Sequence, residues 1–295
     1  MNTFGTFTAL LLVGLATAAP VNDSTSKFEV FHLTSDWFPD NFVVYTGENE
    51  ITNIVVPVNT LNFKRDTVSA VSDNIYIFFV EANKGLFLLK NKTATKLLDN
   101  GNDISAPRDH SKDVFFAASD GIYTFNAEKK TAEKYGSLTD NIISIEVANK
   151  TNEIYILTVD HILYKVTEDG NHKEEITNVK DAQQIALDSF NNLYYVDSKK
   201  HMYARLQIGG AVKKVKNLPD DPTYIKLLRP PVVLNHLVPV IADEKGFMVK
   251  DGTAEIPEII FDIKPTAYSV EASLILYLGH NNKIYEYQLL NILGM

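Results

Sequence analysis

Short apolar runs separated by polar turns recur along most of the chain, and the first long run of each recurrence aligns: Asn74-Ile-Tyr-Ile-Phe-Phe, Asp113-Val-Phe-Phe-Ala, Glu153-Ile-Tyr-Ile-Leu, Asn192-Leu-Tyr-Tyr-Val, His236-Leu-Val-Pro-Val and Leu274-Ile-Leu-Tyr-Leu. Runs rich in β-branched and aromatic residues, bounded by Asn, Asp and Gly, read as strands. From Ile75 through Val114, Ile154, Leu193 and Leu237 to Ile275 the intervals are 39, 40, 39, 44 and 38 residues. That is the period of a four-stranded propeller blade and too long for leucine-rich or hexapeptide solenoids.

Each aligned run is followed by a second: Leu86-Phe-Leu-Leu, Ile122-Tyr-Thr-Phe, Ile162-Leu-Tyr, Met202-Tyr-Ala, Phe247-Met-Val and Ile284-Tyr-Glu-Tyr. A short β-prone run precedes each pair (Ile143-Ser-Ile-Glu-Val, Gln184-Ile-Ala-Leu), and a Lys-rich one follows most of them (Lys129 to Tyr135, Val212 to Val215). These make strands A to D, and the charged D strand belongs on the rim, where charge discourages edge pairing. The pattern predicts an all-β, six-bladed β-propeller. Its last copy stops after strand C near Leu290, so the ring needs a strand from the N-terminal end; Phe28 to Leu33, laid beside the Ile284 to Leu290 strand, is the expected donor. Residues 34–66 then read as an insertion, a hairpin of Phe42 to Thr46 and Ile51 to Val56 about Gly47-Glu-Asn-Glu. The alternative makes these two runs part of a seventh blade.

The opening residues change the picture from fold to compartment. An apolar run through Leu10, Leu11, Leu12, Val13 and Leu15, then Ala16-Thr17-Ala18, fits a secretory signal cleaved after Ala18, and it is shorter than a membrane span. The expected organisation is a signal peptide at 1–18, a tail at 19–26 and a single propeller domain at 27–295. No cysteine is present among the 295 residues, so an exported domain would rest on core burial alone, which 45% hydrophobic residues can supply. Asn22, Asn91 and Asn149 begin Asn-x-Ser/Thr sequons. A net charge of −9 argues against nucleic-acid and anionic-membrane partners, which require clustered Lys and Arg.

Candidate chemistry is sparse. The B-to-C and D-to-A loops share the face on which a propeller's binding mouth usually lies. On it the sequence places Asp120, Asp160, Asp197 and Asp243, with Asp103, Asp140, Asp181, Asp221 and Asp262 before strand A. An Asp recurring at one position of each repeat satisfies turn N–H groups more readily than it binds metal. His161, His201 and His280 lie in or beside B-to-C loops of different blades; they are ligand-binding candidates or surface residues. No Gly-x-Ser-x-Gly elbow, Cys nucleophile or His-Glu-x-x-His spacing is present. Trp37, Phe38, Tyr45 and Phe63 in the N-terminal connection are candidates to stack on a flat aromatic ligand at the mouth, or to pack the connection onto the body.

In Ser119-Asp-Gly-Ile-Tyr-Thr-Phe-Asn, in the run of Asp188-Ser-Phe-Asn-Asn-Leu-Tyr-Tyr-Val-Asp-Ser and in Lys283-Ile-Tyr-Glu-Tyr, the chain resembles the ommochrome-binding protein-like family of insects, chiefly moths and butterflies. The resemblance spans most of the expected mature chain. It implies a secreted haemolymph carrier, without a cofactor and without enzyme activity, that binds planar phenoxazinone pigments; it assigns no ligand residue. The repeats look more distantly like the gluconolactonase and regucalcin-like propellers, which implies metal-dependent lactone hydrolysis as the alternative, although the Gly-Glu-Gly-Pro-type entry to their first blade is missing. An extracellular protein-binding propeller is a third reading.

Overall fold

A computed structural model describes residues 31–58, 75–108, 113–151, 153–255, 259–270 and 274–289. The expected signal peptide, the Asn22 sequon and Phe63 lie outside the described residues. Among these, no helix is long and apolar enough to cross a membrane.

The chain opens with β1 (Phe31–Leu33) and β2 (Val43–Thr46). Blade one is β3 (Ile51–Val55), β4 (Ile77–Glu81), β5 (Gly85–Lys90) and β6 (Thr93–Leu98); blade two is β7 (Gly101–Ser105), β8 (Phe115–Ala118), β9 (Gly121–Asn126) and β10 (Thr131–Lys134). Blade three is β11 (Ile142–Val147), β12 (Ile154–Thr158), β13 (Leu163–Thr167) and β14 (His172–Glu175), and blade four is β15 (Ala182–Leu187), β16 (Leu193–Asp197), β17 (Met202–Arg205) and β18 (Val212–Lys214). Blade five has β19 (Ile225–Leu227), β20 (Val238–Ala242), β21 (Lys245–Lys250) and an outer edge divided between β22 (Thr253–Ala254) and β23 (Ile259–Phe261). Blade six joins β24 (Ala267–Val270), β25 (Ile275–His280) and β26 (Lys283–Gln288) to β2. The protein is a six-bladed β-propeller.

Burial explains the sequence pattern. The second strand of a blade is covered on both faces by neighbouring blades, so β4 and β12 are buried at every position, and their sequences are continuous apolar runs. Outer strands β6, β10, β14 and β18 are largely exposed. The core is therefore six apolar layers between successive blades. Phe78 of blade one, for example, meets Phe116 and Phe125 of blade two at 5.6 and 4.9 Å between ring centres.

The ring closes through an N-terminal strand, but through β2 and not through Phe31–Leu33, the described part of the expected Phe28 to Leu33 donor. Val43, Tyr45 and Thr46 pair antiparallel with Tyr285, Ile284 and Lys283, whereas β1 runs parallel to β23 on the rim of blade five, Leu33 opposite Phe261. The runs at Val43–Thr46 and Ile51–Val55 are thus not paired with each other as a hairpin: β2 completes blade six, β3 begins blade one, and no seventh blade exists among the described residues. The Gly47-Glu-Asn-Glu turn joins two blades around a buried acid. Glu81 Oε1 accepts from the backbone N–H groups of Glu48 (2.7 Å) and Asn49 (2.8 Å), and Oε2 accepts from the Tyr45 hydroxyl (2.8 Å). A β-carbon on Gly47 would fall 2.6 Å from that carboxylate, so a larger residue there would have to displace the Glu81 side chain.

Candidate functional site at the channel mouth

The first strand of each blade lines the central channel. In β3, β7, β11 and β15 the ladder slips by one residue near the strand start, between Ile51 and Asn53, Gly101 and Asp103, Ile142 and Ser144, and Ala182 and Gln184. A bulge sets two residues against one and re-aims side chains. Thr52, Asn102, Ile143 and Gln183 are the extra residues. With Lys226 of β19 and Tyr268 of β24 they place one side chain from every blade around a cavity of about 220 Å³. It opens on the face of the D-to-A and B-to-C loops, where the sequence places the mouth.

The floor is a buried ionic cluster. Arg229, just after β19, reaches across the channel: Nε donates to Glu146 Oε1 (2.7 Å), Nη1 to Asn53 Oδ1 (3.1 Å), and Nη2 to Asp103 Oδ2 (3.0 Å) and to the Ile145 carbonyl (2.9 Å). One guanidinium thereby ties blade five to blades one, two and three. Burial alone would lower its pKa, but the Asp103 and Glu146 carboxylates hold it above the ordinary value. Burial raises the Glu146 carboxyl, against the opposing pull of Arg229 and Arg108. Asp103 also accepts from Ser144 Oγ (2.8 Å) and Ile145 N–H (2.8 Å), and it bonds to Asn53 Nδ2. Expected as a turn acid before strand A, it lies instead within β7 and is 7% exposed.

Side chains of the inner strands also stitch blade two to three, four to five and five to six. Asn102 Nδ2 donates to the Ile142 carbonyl (2.8 Å), Gln184 takes the Ile225 carbonyl and the Leu227 N–H (3.0 and 2.9 Å), and Lys226 Nζ donates to the Thr266 carbonyl. Burial pushes the Lys226 ammonium below its ordinary pKa, with the Glu50 charge acting in the opposite direction. Burial raises the Tyr268 phenol.

Several of the other acids follow the turn reading: Asp243 accepts from Thr223 N–H and Oγ1 (both 2.8 Å), Asp181 from Ser198 and Asp197 from His201 N–H. Asp120 accepts instead from the Asn100 and Tyr123 side chains, Asp140 pairs with Lys173 and Asp262 with His32. Among the described residues no three His, Cys, Asp or Glu side chains stand together as a metal site.

The residues singled out for ligand contact do not meet at the mouth. Trp37 packs on Tyr287 (6.1 Å between ring centres), and Phe38 packs on His280 (4.5 Å) and Tyr285 (5.1 Å). Residues 34–42 descend the outer groove between blades five and six, from the end of β1 to the start of β2, so this aromatic cluster fastens the connection to the body. Tyr45 faces Phe79 of blade one (4.6 Å). His161 Nδ1 contacts the Ala182 carbonyl (3.0 Å), and His201 lies 3.6 Å from Asp197 and 3.8 Å from Asp221. Of the sequons, Asn91 is exposed, whereas Asn149 is 8% exposed and its Oδ1 accepts from Arg108 N–H (2.9 Å).

Sequence reading missed Arg229, Lys226 and Tyr268. The interval that breaks the repeat, 44 residues before Leu237, was the available signal for the first: its extra length is the Leu228-Arg-Pro-Pro loop that carries Arg229 into the channel.

Neither a protein-family model nor a curated protein sequence matches the chain. Solved structures share its architecture at low identity. A gluconolactonase from Xanthomonas campestris superposes with a TM-score of 0.58 at 12% identity, over 83% of this chain and 87% of that one. The WD40 repeats of RRP9 give 0.55 at 11%, over 83% and 96%. PorZ, a surface component of the type-IX secretion system of Porphyromonas gingivalis, gives 0.55 at 9% over 81% of this chain, which spans 31% of PorZ. At these identities the likeness is one of fold, and the chain takes its place among β-propellers.

Proposed function

We propose that this chain is an exported, non-enzymatic binding protein that holds a small planar ligand in the channel mouth, an ommochrome-like pigment being the ligand implied by the family resemblance. The observation that carries the reading is the pairing of the mouth with its floor. Six side chains, one per blade, surround a preformed cavity of about 220 Å³, and preformed concavity with a few convergent polar groups is what small-molecule sites share. Directly beneath, Arg229 holds both Asp103 and Glu146. The wall offers hydroxyl, amide, ammonium and phenol groups to a ligand, with its two central acids already engaged.

Metal-dependent lactone hydrolysis is the second reading, favoured by the fold shared with the gluconolactonase. Asn53, Asp103 and Glu146 are the oxygen donors such a cation would want, yet the Arg229 guanidinium occupies their inner oxygens, so these residues do not fit a metal ion as they stand. Titrating xanthommatin into metal-free secreted protein separates the two. A saturable change in the pigment's visible band, one ligand per chain, supports the carrier. No change, together with calcium-dependent lactone hydrolysis, replaces it with the enzyme.

A further inference from the structure

We infer that the ligand of this mouth is an aromatic anion: Lys226 receives an acidic oxygen group, carboxylate or sulfonate, while the Tyr268 ring carries the planar part. The inference rests on the binding reading above and specifies its ligand class.

Strand alternation sets the direction. Ile225 and Leu227 are buried in the apolar layer between blades four and five, so Lys226 between them faces the opposite way, onto the channel cavity it lines. An ammonium has three donors and no acceptor. One goes to the Thr266 carbonyl, and among the described residues no carboxylate stands within ion-pair distance to take the others. The cavity's second cation, Arg229, is paired in contact with Asp103 and Glu146, whereas Lys226 feels the Glu50 charge without a contact pair among the described residues. The other ring members, Thr52, Asn102, Ile143, Gln183 and Tyr268, are uncharged at neutral pH. In a chain of net charge −9, the mouth therefore presents one positive charge that no carboxylate contacts, Glu50 acting on it only at longer range, in a half-buried setting where pairing with an oxyanion is stronger than in open water.

Tyr268 stands beside it. Its side chain lines the mouth and also an apolar cleft of about 70 Å³ between blades five and six, with Leu228, Ile241, Phe261 and Leu278. A ring laid on Tyr268 would rest against the wall between a polar and an apolar compartment, with its acidic substituent toward Lys226.

The competing role for Lys226 is purely structural, as a stitch from blade five to Thr266 of blade six. Two fluorescent dyes with the same ring system separate the roles: 8-anilinonaphthalene-1-sulfonate carries the anion, and N-phenyl-1-naphthylamine lacks it. The full secreted chain should bind both, one per chain, and prefer the anionic dye. Lys226→Met should weaken the anionic dye by about tenfold to a hundredfold, the range of one hydrogen bond to a charged group, and leave the neutral dye within about twofold. Lys226→Arg should retain most of the preference. In the unsubstituted protein, 2-naphthoate should displace the anionic dye and 2-naphthol should not, a comparison that needs no variant to fold. Equal weakening of both dyes by Lys226→Met, no effect on either, or equal displacement by naphthoate and naphthol overturns the inference while leaving the binding site standing. Failure of both dyes to bind one per chain overturns the binding reading and this inference together.

Discussion

Replacing Arg229 by Met tests the floor of the channel most severely. The substitution keeps a long apolar stem and removes a guanidinium bonded to Glu146, Asn53, Asp103 and the Ile145 carbonyl. Asp103 and Glu146, 7% and 1% exposed, are left as buried carboxylates without their cation. Breaking a buried pair from one side costs about 3–5 kcal/mol, and at roughly 2–4 °C per kcal/mol for a large domain the melting temperature should fall by roughly 6–20 °C. The loss has a pH signature. Without Arg229 the Glu146 carboxyl, which burial already raises, loses the larger of the two cationic charges that oppose the rise and should titrate further above its unfolded value. The folded variant then takes up a proton more readily than the unfolded chain. The penalty is full above that raised value and shrinks as pH falls through it. Differential scanning calorimetry at pH 7.5 and pH 5 measures both effects, and adding Glu146→Gln to the variant should recover part of the loss at the higher pH. A melting temperature within about 2 °C of the parent at pH 7.5, or a gap of the same size at both pH values, would refute the argument that Arg229 neutralises the channel acids.

Two further outcomes follow from the closure of the ring. Glu81→Ala strips three donors at the joint between blades six and one of their common acceptor and should cost about 2–4 kcal/mol in urea unfolding; an unchanged midpoint would show that the joint does not depend on this carboxylate. Burial holds the His280 imidazole below its ordinary pKa of 6.5, so the unfolded chain is protonated first as pH falls. Stability from this group is complete above about pH 6.5 and declines below it. Between pH 7.5 and 5.5 the parent's urea midpoint should drop further than that of His280→Gln, and parallel drops would rule the histidine out as the cause.

The blades were legible because their second strands are buried on both faces and so repeat as apolar runs, Asn192-Leu-Tyr-Tyr-Val being the clearest. Which N-terminal run closes the ring was not legible. Phe28 to Leu33 and Phe42 to Thr46 are equally β-prone, and the choice is made by distant partners, Glu81 beneath the Gly47 turn and the Asn281-Asn282 turn that bonds to Gly47 and Ile51. Asp103 was hidden for a local reason: Asn100-Gly-Asn-Asp reads as a turn, and only the bulge in β7 draws it into the strand. Trp37 suggested a ligand platform because aromatic residues serve ligands and cores alike. Its place against Tyr287 depends on residues 34–42 running down the groove between two blades, which no local pattern encodes. The channel ring escaped notice because its members share a position and not a residue type.

On the proposed function, ligand should enter the channel mouth beside Tyr268 and not the outer groove beside Trp37. Xanthommatin titration of the parent, Tyr268→Ala and Trp37→Phe, following the pigment's visible band with each variant's folding checked by thermal melting, tests it directly. Saturable binding is expected to the parent and to Trp37→Phe, with affinity at least about tenfold weaker in Tyr268→Ala, the loss of one aromatic stacking surface together with its buried area. Binding that survives Tyr268→Ala and is lost in Trp37→Phe would contradict it.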